Sequence, residues 1–224
     1  MEATTAPAGE GRPLSYVRSK LASLLAIAPL GIWTVLHVWD NLAAFRGAEA
    51  WQAQVTNHGH PAALWVTSVV VLLPLVLHTV WGIGRLFTSR PNNARYPYFG
   101  NLKYLLQRLS AVGVLLFVGA HLWLAFLRPR LVQGHAELFS DIAAEMRHHP
   151  PTLIVYLLGT LGVAYHLGNG IAGFAWNWGL APSRKAVLRY ERLGIAIFII
   201  LLAMSWGAIF GLWQAGALFA LPAD

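Results

Sequence analysis

Apolar residues in this chain fall in long unbroken runs, without the one-sided spacing of a soluble helix or the alternation of a half-buried strand. Five such runs cover about residues 21–42, 62–87, 104–127, 152–176 and 187–212. Each exceeds the roughly 20 residues a helix needs to cross about 30 Å of hydrocarbon. The pattern predicts an all-α membrane protein with five transmembrane helices in one domain, residues 16–215. A mobile tail is expected at residues 1–15 and an outer tail at residues 216–224. The first run is too long for the apolar stretch of a signal peptide and is read as a retained span. Pro74 interrupts the second run, where a membrane helix tolerates it as a kink. Between the third and fourth runs, His135–His149 spaces Leu138, Ile142 and Met146 like a short scaffolding helix lying on the membrane surface. No solenoid repeat is present.

Charge gives the runs a direction. Twelve of the sixteen Lys and Arg lie in the N-terminal tail and in the connections Arg85–Arg108 and Arg184–Arg192. The other two connections hold only Arg46, Arg128, Arg130 and Arg147, together with Glu49, Glu137, Asp141 and Glu145. By the positive-inside rule the N-terminus is cytoplasmic and, after five crossings, the C-terminus lies outside. The expected location is a bacterial cytoplasmic membrane. A net charge of +7 could signal nucleic-acid binding, but here it sits between apolar runs with no basic stripe interleaved with aromatics. With 57% hydrophobic and 11% charged residues the chain is too apolar for a soluble domain. It has no Cys, which excludes disulfides and any iron–sulfur cluster held by this chain.

Within the runs, histidine carries the chemistry. His166 sits in GVAYHLGNGIAG (Gly162–Gly173), with Gly162 four residues before it and Gly170 four after. On a helix these share one face, so the imidazole projects from a strip bare of side chains, where a flat macrocycle could press against the backbone. His37, His78 and His121 each occupy another run. At about 1.5 Å per residue, His37 and His121 lie roughly 24 Å from the cytoplasmic starts of their outward spans. His78 and His166 lie roughly 24 and 20 Å from the outer starts of their inward spans. One pair is thus expected near the outer face and the other near the inner face. Four of the five helices would form a haem-binding bundle that holds two b-type haems, since no C-x-x-C-H attachment motif is present. Other readings of these residues remain open: packed polar groups, a proton relay, or a haem-free transporter. A zinc site would need further buried ligands that the runs do not offer. His58, His60, His135, His148 and His149 lie in polar outer connections and are read as solvated.

The runs GIWTVLHVWDN (Gly31–Asn41), RGAEAW (Arg46–Trp51), LPLVLHTVWG (Leu73–Gly82), LQRLSAVGVLLFVGAHLW (Leu106–Trp123) and YHLGNG (Tyr165–Gly170) carry a family likeness. They resemble the dihaem cytochrome b membrane anchor of succinate:menaquinone oxidoreductases and quinol:fumarate reductases, over about Tyr16 to Ile209. The resemblance implies axial ligands His37 and His121 for an outer haem, and His78 and His166 for an inner one. It also implies a complex with a flavoprotein subunit and an iron–sulfur subunit on the cytoplasmic face. This chain would pass electrons between them and menaquinone or another quinone, with no succinate chemistry of its own. The anchor of a hydrogenase or formate dehydrogenase is the nearest alternative. Some quinol:fumarate reductases carry a carboxylate just before the fourth ligand; Ala164 and Tyr165 stand there, which favours succinate oxidation.

Around the ligands, Thr34 could hold the ring of His37 or simply bond back along its helix. Haem propionates want cationic or hydroxyl partners near the interface. Arg18, Gln107, Arg108 and Ser110 are the inner candidates, Arg128 and Arg130 the outer ones. Gly82, Gly119, Gly162 and Gly170 would allow close approach of helix or macrocycle. A quinone site is expected near the outer haem, among Asp40, Asn41, Glu49, His58 and His60.

Overall fold

The computed structural model describes residues 11–57, 61–88 and 92–221, and among them every regular element is helical. Five helices are long and apolar enough to cross a membrane: span I, Tyr16–Arg46; span II, Trp65–Phe87; span III, Phe99–Gln133; span IV, Pro150–Asn177; and span V, Arg184–Leu218. The chain is an all-α membrane protein. Helix begins at Gly11, inside the segment expected to be a mobile tail. Residues 1–10 and 222–224 lie outside the described residues, as do His58 and His60.

Prolines shape spans I and II. In span I the helix breaks at Ala28 (φ −133°, ψ 116°), the residue before Pro29, whose ring disfavours helical backbone there. Pro74 leaves the carbonyl four residues earlier without its donor, and the helix widens to π-type turns over Ser68–Leu72 just ahead of it. Span III reaches Gln133 and stops at Gly134, whose φ of 76° is the left-handed conformation that ends a helix cheaply. Span IV starts on Pro150, where a missing N–H costs nothing. Span V starts under the Ser183 hydroxyl, which accepts from the Ala186 amide at 3.2 Å.

Span V packs most closely on span IV, and span IV on span III. The IV–V contact is made at Gly168 and Gly194: a β-carbon on Gly168 would sit 2.6 Å from the Gly194 carbonyl oxygen. The first half of span I leans on span II and its second half on span V. Spans I and III, and likewise II and IV, are not among the closely packed neighbours.

The best-packed core lies at the end of the bundle where span IV begins. There the Phe139–His148 helix buries Phe139, Ile142, Ala143, Ala144 and Met146 against spans IV and V and against Trp51. It was expected to lie on the membrane surface and is instead sunk into protein. An apolar stripe fits lipid and a helical neighbour equally well. The segment after span V is held too: Phe219 meets Phe139 edge to face at 6.1 Å, and the His148 Nε2 lies within 3.1 Å of the Gly216 and Phe219 carbonyls.

Candidate functional site

The four intramembrane histidines meet in two pairs. His37 of span I and His121 of span III face each other with ring centres 5.8 Å apart and planes 69° apart. His78 of span II and His166 of span IV do so at 6.4 Å and 76°. These rings bridge the two helix pairs that do not pack closely on each other, so imidazoles hold a gap that backbone does not close.

Three of the rings are anchored through Nδ1. His78 Nδ1 lies 3.0 Å from the Ala22 carbonyl oxygen, so the ring donates there to span I. His121 Nδ1 lies 3.0 Å from the Tyr156 hydroxyl. His166 Nδ1 lies 3.2 Å from both the Ser110 hydroxyl and the Gln107 amide nitrogen. The Gln107 amide is oriented by its other bonds: it accepts from Asn169 at 2.8 Å and donates to the His166 carbonyl at 3.1 Å. Ser110 donates to the Gln107 carbonyl at 2.9 Å, which leaves its lone pairs to accept from His166 Nδ1–H. A neutral imidazole that donates from Nδ1 carries its lone pair on Nε2, the nitrogen a metal takes. His37 is set differently, stacked on Trp33 one turn earlier at 4.5 Å with planes 9° apart.

Over 192 residues, which are 85% of this chain and 94% of the relative, the sequence is 30% identical to the succinate dehydrogenase cytochrome b558 subunit of Bacillus subtilis (strain 168). The chain belongs to the succinate dehydrogenase cytochrome b subunit family. No family model matches it.

The name cytochrome b implies haem b, so the spacing of the two imidazole pairs can be set against what a haem would need. Two opposed metal–imidazole bonds of about 2.0–2.1 Å, plus roughly 1.1 Å from nitrogen to ring centre, put axial ring centres about 6.3 Å apart. The observed 6.4 Å matches that span, and 5.8 Å falls about 0.5 Å short of it. A β-carbon added at Gly82, one turn from His78, would meet nothing within 4 Å, and the same holds at exposed Gly119, which lies on the side of its helix away from His121. A β-carbon on Gly162 would lie 3.7 Å from Val114 and one on Gly170 3.9 Å from Gln107, ordinary contacts with span III. Among the described residues no three His, Cys, Asp or Glu converge to cage a bare cation.

The cationic candidates divide. Arg108 donates to the Arg85 carbonyl at 3.0 Å and lies 4.4 Å from the Tyr104 ring centre, but its buried Nε has no partner, an orphan suited to an anionic group. Arg18 is exposed. Gln107 and Ser110, expected at propionates, sit on the His166 ring instead. At the end where span IV begins, Arg128 bonds Glu145 at 3.0 Å and Arg130 bonds Glu137 at 2.5 Å, so both face protein carboxylates. Thr34 makes the back-bond, to the Leu30 carbonyl at 2.8 Å.

Of the residues expected near a quinone, Asn41 is a clamp. It donates to the His37 carbonyl at 2.8 Å and accepts from the Trp51 indole at 3.1 Å, tying span I to the turn that follows. Glu49 is exposed and Asp40 is half-buried. His135 bonds the neighbouring Ala136 carbonyl at 2.7 Å and His149 bonds Thr152 at 2.6 Å, both near the start of span IV. Tyr156 did not figure among the sequence candidates. Its signal was there: a phenol inside an apolar run, ten residues before His166 on the same helix and so at the depth of the other pair.

Proposed function

We propose that this chain is the haem-carrying membrane anchor of a succinate dehydrogenase complex and passes electrons between the iron–sulfur subunit and a quinone, menaquinone in this reading. Two haem b groups are held, one by His37 and His121 near the outer face and one by His78 and His166 near the inner face. Bound there, they supply one-electron carriers at two depths of the bilayer.

The chain's own residues do the rest. The Ala22 carbonyl fixes the His78 tautomer with Nδ1 protonated, and the Ser110 and Tyr156 hydroxyls can accept from His166 and His121 in the same form, leaving Nε2 as the metal-binding nitrogen. Gly82 leaves open space one turn from His78, and Arg108 and Arg18 offer positive charge to the inner propionates. The cytoplasmic ends of the spans carry most of the Lys and Arg and form the docking face for the iron–sulfur and flavoprotein subunits. The quinone site lies beside the outer pair, with Asp40 and Glu49 as proton-handling groups and Asn41 holding the wall. The N-terminus is cytoplasmic and the C-terminus outside.

The observation that carries this reading is the pairing itself: four intramembrane imidazoles in two couples at haem-spanning separation. The test is haem quantitation per polypeptide on the purified complex, with reduced-minus-oxidised spectra. The native chain binds two haems. His78→Ala or His166→Ala removes the inner one only, and His37→Ala or His121→Ala the outer one only. A colourless complex, or a single substitution that empties both sites of an intact bundle, overturns the reading.

A further inference from the structure

The two imidazole pairs are built alike in spacing but differ in what holds their rings. On the inner level His78 meets a backbone carbonyl, Ala22 O, and His166 meets the aliphatic hydroxyl of Ser110 with the Gln107 amide nitrogen equally near at 3.2 Å. On the outer level His121 meets a phenol. Tyr156 is 8% exposed, and its hydroxyl is 3.0 Å from His121 Nδ1. Phe117, one turn before His121 on span III, closes the cage. It lies 5.7 Å from the imidazole at 28°, and 5.3 Å from the Tyr156 ring at 88°. The cage depends on Gly159: a β-carbon there would fall 2.1 Å from the Phe117 ring, so only a glycine on span IV lets that ring lie where it fixes His121. Tyr156 and Gly159 are neighbours on one helix, so span IV grips His121 through two contacts, one polar and one steric.

We propose that Tyr156 is the positioning residue of the outer haem, which through His121 sets that haem's reduction potential apart from the inner one's. The proposal rests on the bis-histidine reading above. A hydrogen bond accepted from Nδ1–H makes the imidazole a stronger donor at Nε2 and favours the oxidised metal. Within a buried cage that bond has no water to replace it. Removing the phenol oxygen therefore raises the potential of the outer haem and leaves the inner one alone. The ring planes of His37 and His121, now 69° apart, also lose one constraint on their angle, and that angle governs the anisotropy of the ferric low-spin EPR signal.

The experiment is a redox titration with EPR of the purified complex carrying Tyr156→Phe, which keeps the ring and its contact with Phe117. Thr160→Val serves as the control. Thr160 bonds the Tyr156 carbonyl at 2.7 Å, so this change perturbs the same turn of helix without touching His121. The His37→Ala complex, which keeps the inner haem, assigns the two potentials. The expected result is a rise at the outer haem of about tenfold in its reduced-to-oxidised ratio at fixed potential, 59 mV for a one-electron couple. A changed outer EPR signal accompanies it, and neither effect occurs at the inner haem or in Thr160→Val. Loss of the outer haem in Tyr156→Phe alone supports the proposal as well, since only an oxygen was removed. An unshifted outer potential, an equal shift at both haems, or the same shift in Thr160→Val overturns it. Absence of haem from the native complex instead overturns the reading beneath it, so the two failures are distinguishable.

Discussion

Gly168→Ala tests whether the crossing of spans IV and V sets the position of an imidazole. A β-carbon at Gly168 would lie 2.6 Å from the Gly194 carbonyl oxygen and 2.9 Å from the Phe198 β-carbon. Carbon–oxygen contact becomes comfortable at about 3.4 Å, so the helices must part by roughly 0.8 Å. The obstructing oxygen is backbone and cannot rotate aside. Overpacking of this kind costs about 1–3 kcal/mol. A loss of 2 kcal/mol lowers the melting midpoint by roughly 6 °C for a chain of this size. His166 is two residues from the inserted methyl, and its Gln107 and Ser110 contacts come from span III on another side of span IV. Parting the helices at Gly168 therefore strains the inner pair first, and His121, held by Tyr156 and Gly159 more than two turns away on span IV, less. The assay is thermal release of haem from the purified complex, followed separately for the two haems. Gly173→Ala is the control, because a β-carbon there meets nothing within 4 Å. Gly168→Ala should release the inner haem first and at lower temperature, and Gly173→Ala should behave as the native chain. Equal midpoints for Gly168→Ala and the native chain, or equal losses in both variants, would refute the reasoning.

Two further outcomes follow from single contacts. Arg108→Gln should speed release of the inner haem about tenfold, because a charge-assisted hydrogen bond at a half-exposed site is worth about 1.5 kcal/mol; Arg108→Lys should restore part of it. Release kinetics to an apo-globin acceptor read the effect, and identical rates for Arg108→Gln and the native chain would sink the assignment. Glu145 accepts from Arg128 at 3.0 Å and from Thr152 at 3.2 Å with its side chain 12% exposed, joining spans III and IV to the Phe139–His148 helix. Glu145→Gln should lower stability by about 1–2 kcal/mol, seen as a lower melting midpoint and faster proteolysis of that helix, and an unchanged midpoint would count against the clamp.

Height along a helix was legible in the sequence, and azimuth was not. A rise of about 1.5 Å per residue pairs His37 with His121 and His78 with His166, and the rings do meet in those couples despite the breaks at Ala28 and before Pro74. Gln107 and Ser110 have the right height for the inner level, yet nothing in their spacing says that they point at the His166 ring and away from a propionate. Arg128 and Arg130 look like free cations until Glu145 and Glu137 arrive from a segment whose burial the pattern did not disclose. The Phe139–His148 helix shows the same ambiguity, since small and apolar side chains at helical spacing do not say whether lipid or protein faces them. Nothing in its own run says what the Tyr156 hydroxyl meets. Its partner lies on another helix, 35 residues away in the chain.

The depth of the two levels has an electrical consequence that can be worked from span IV alone. Tyr156, which bonds His121 of one couple, and His166 of the other stand on one uninterrupted helix, Pro150–Asn177. Ten residues of helix rise about 15 Å, half of a hydrocarbon layer of about 30 Å. A charge moved from one level to the other therefore crosses roughly half the membrane field. At about 2.3 kcal/mol per charge per 100 mV for the whole field, the step between levels is worth about 1.15 kcal/mol per 100 mV. That corresponds to roughly a sevenfold change in the ratio of reduced outer to reduced inner haem. The complex, oriented in vesicles and poised at fixed ambient potential, should show this redistribution when a potassium diffusion potential of about 100 mV is imposed. The shift should reverse sign with the gradient and disappear in His37→Ala, which has no outer site. A ratio indifferent to the imposed potential would mean that the two couples lie at one depth, and the outer and inner assignment would fall with it.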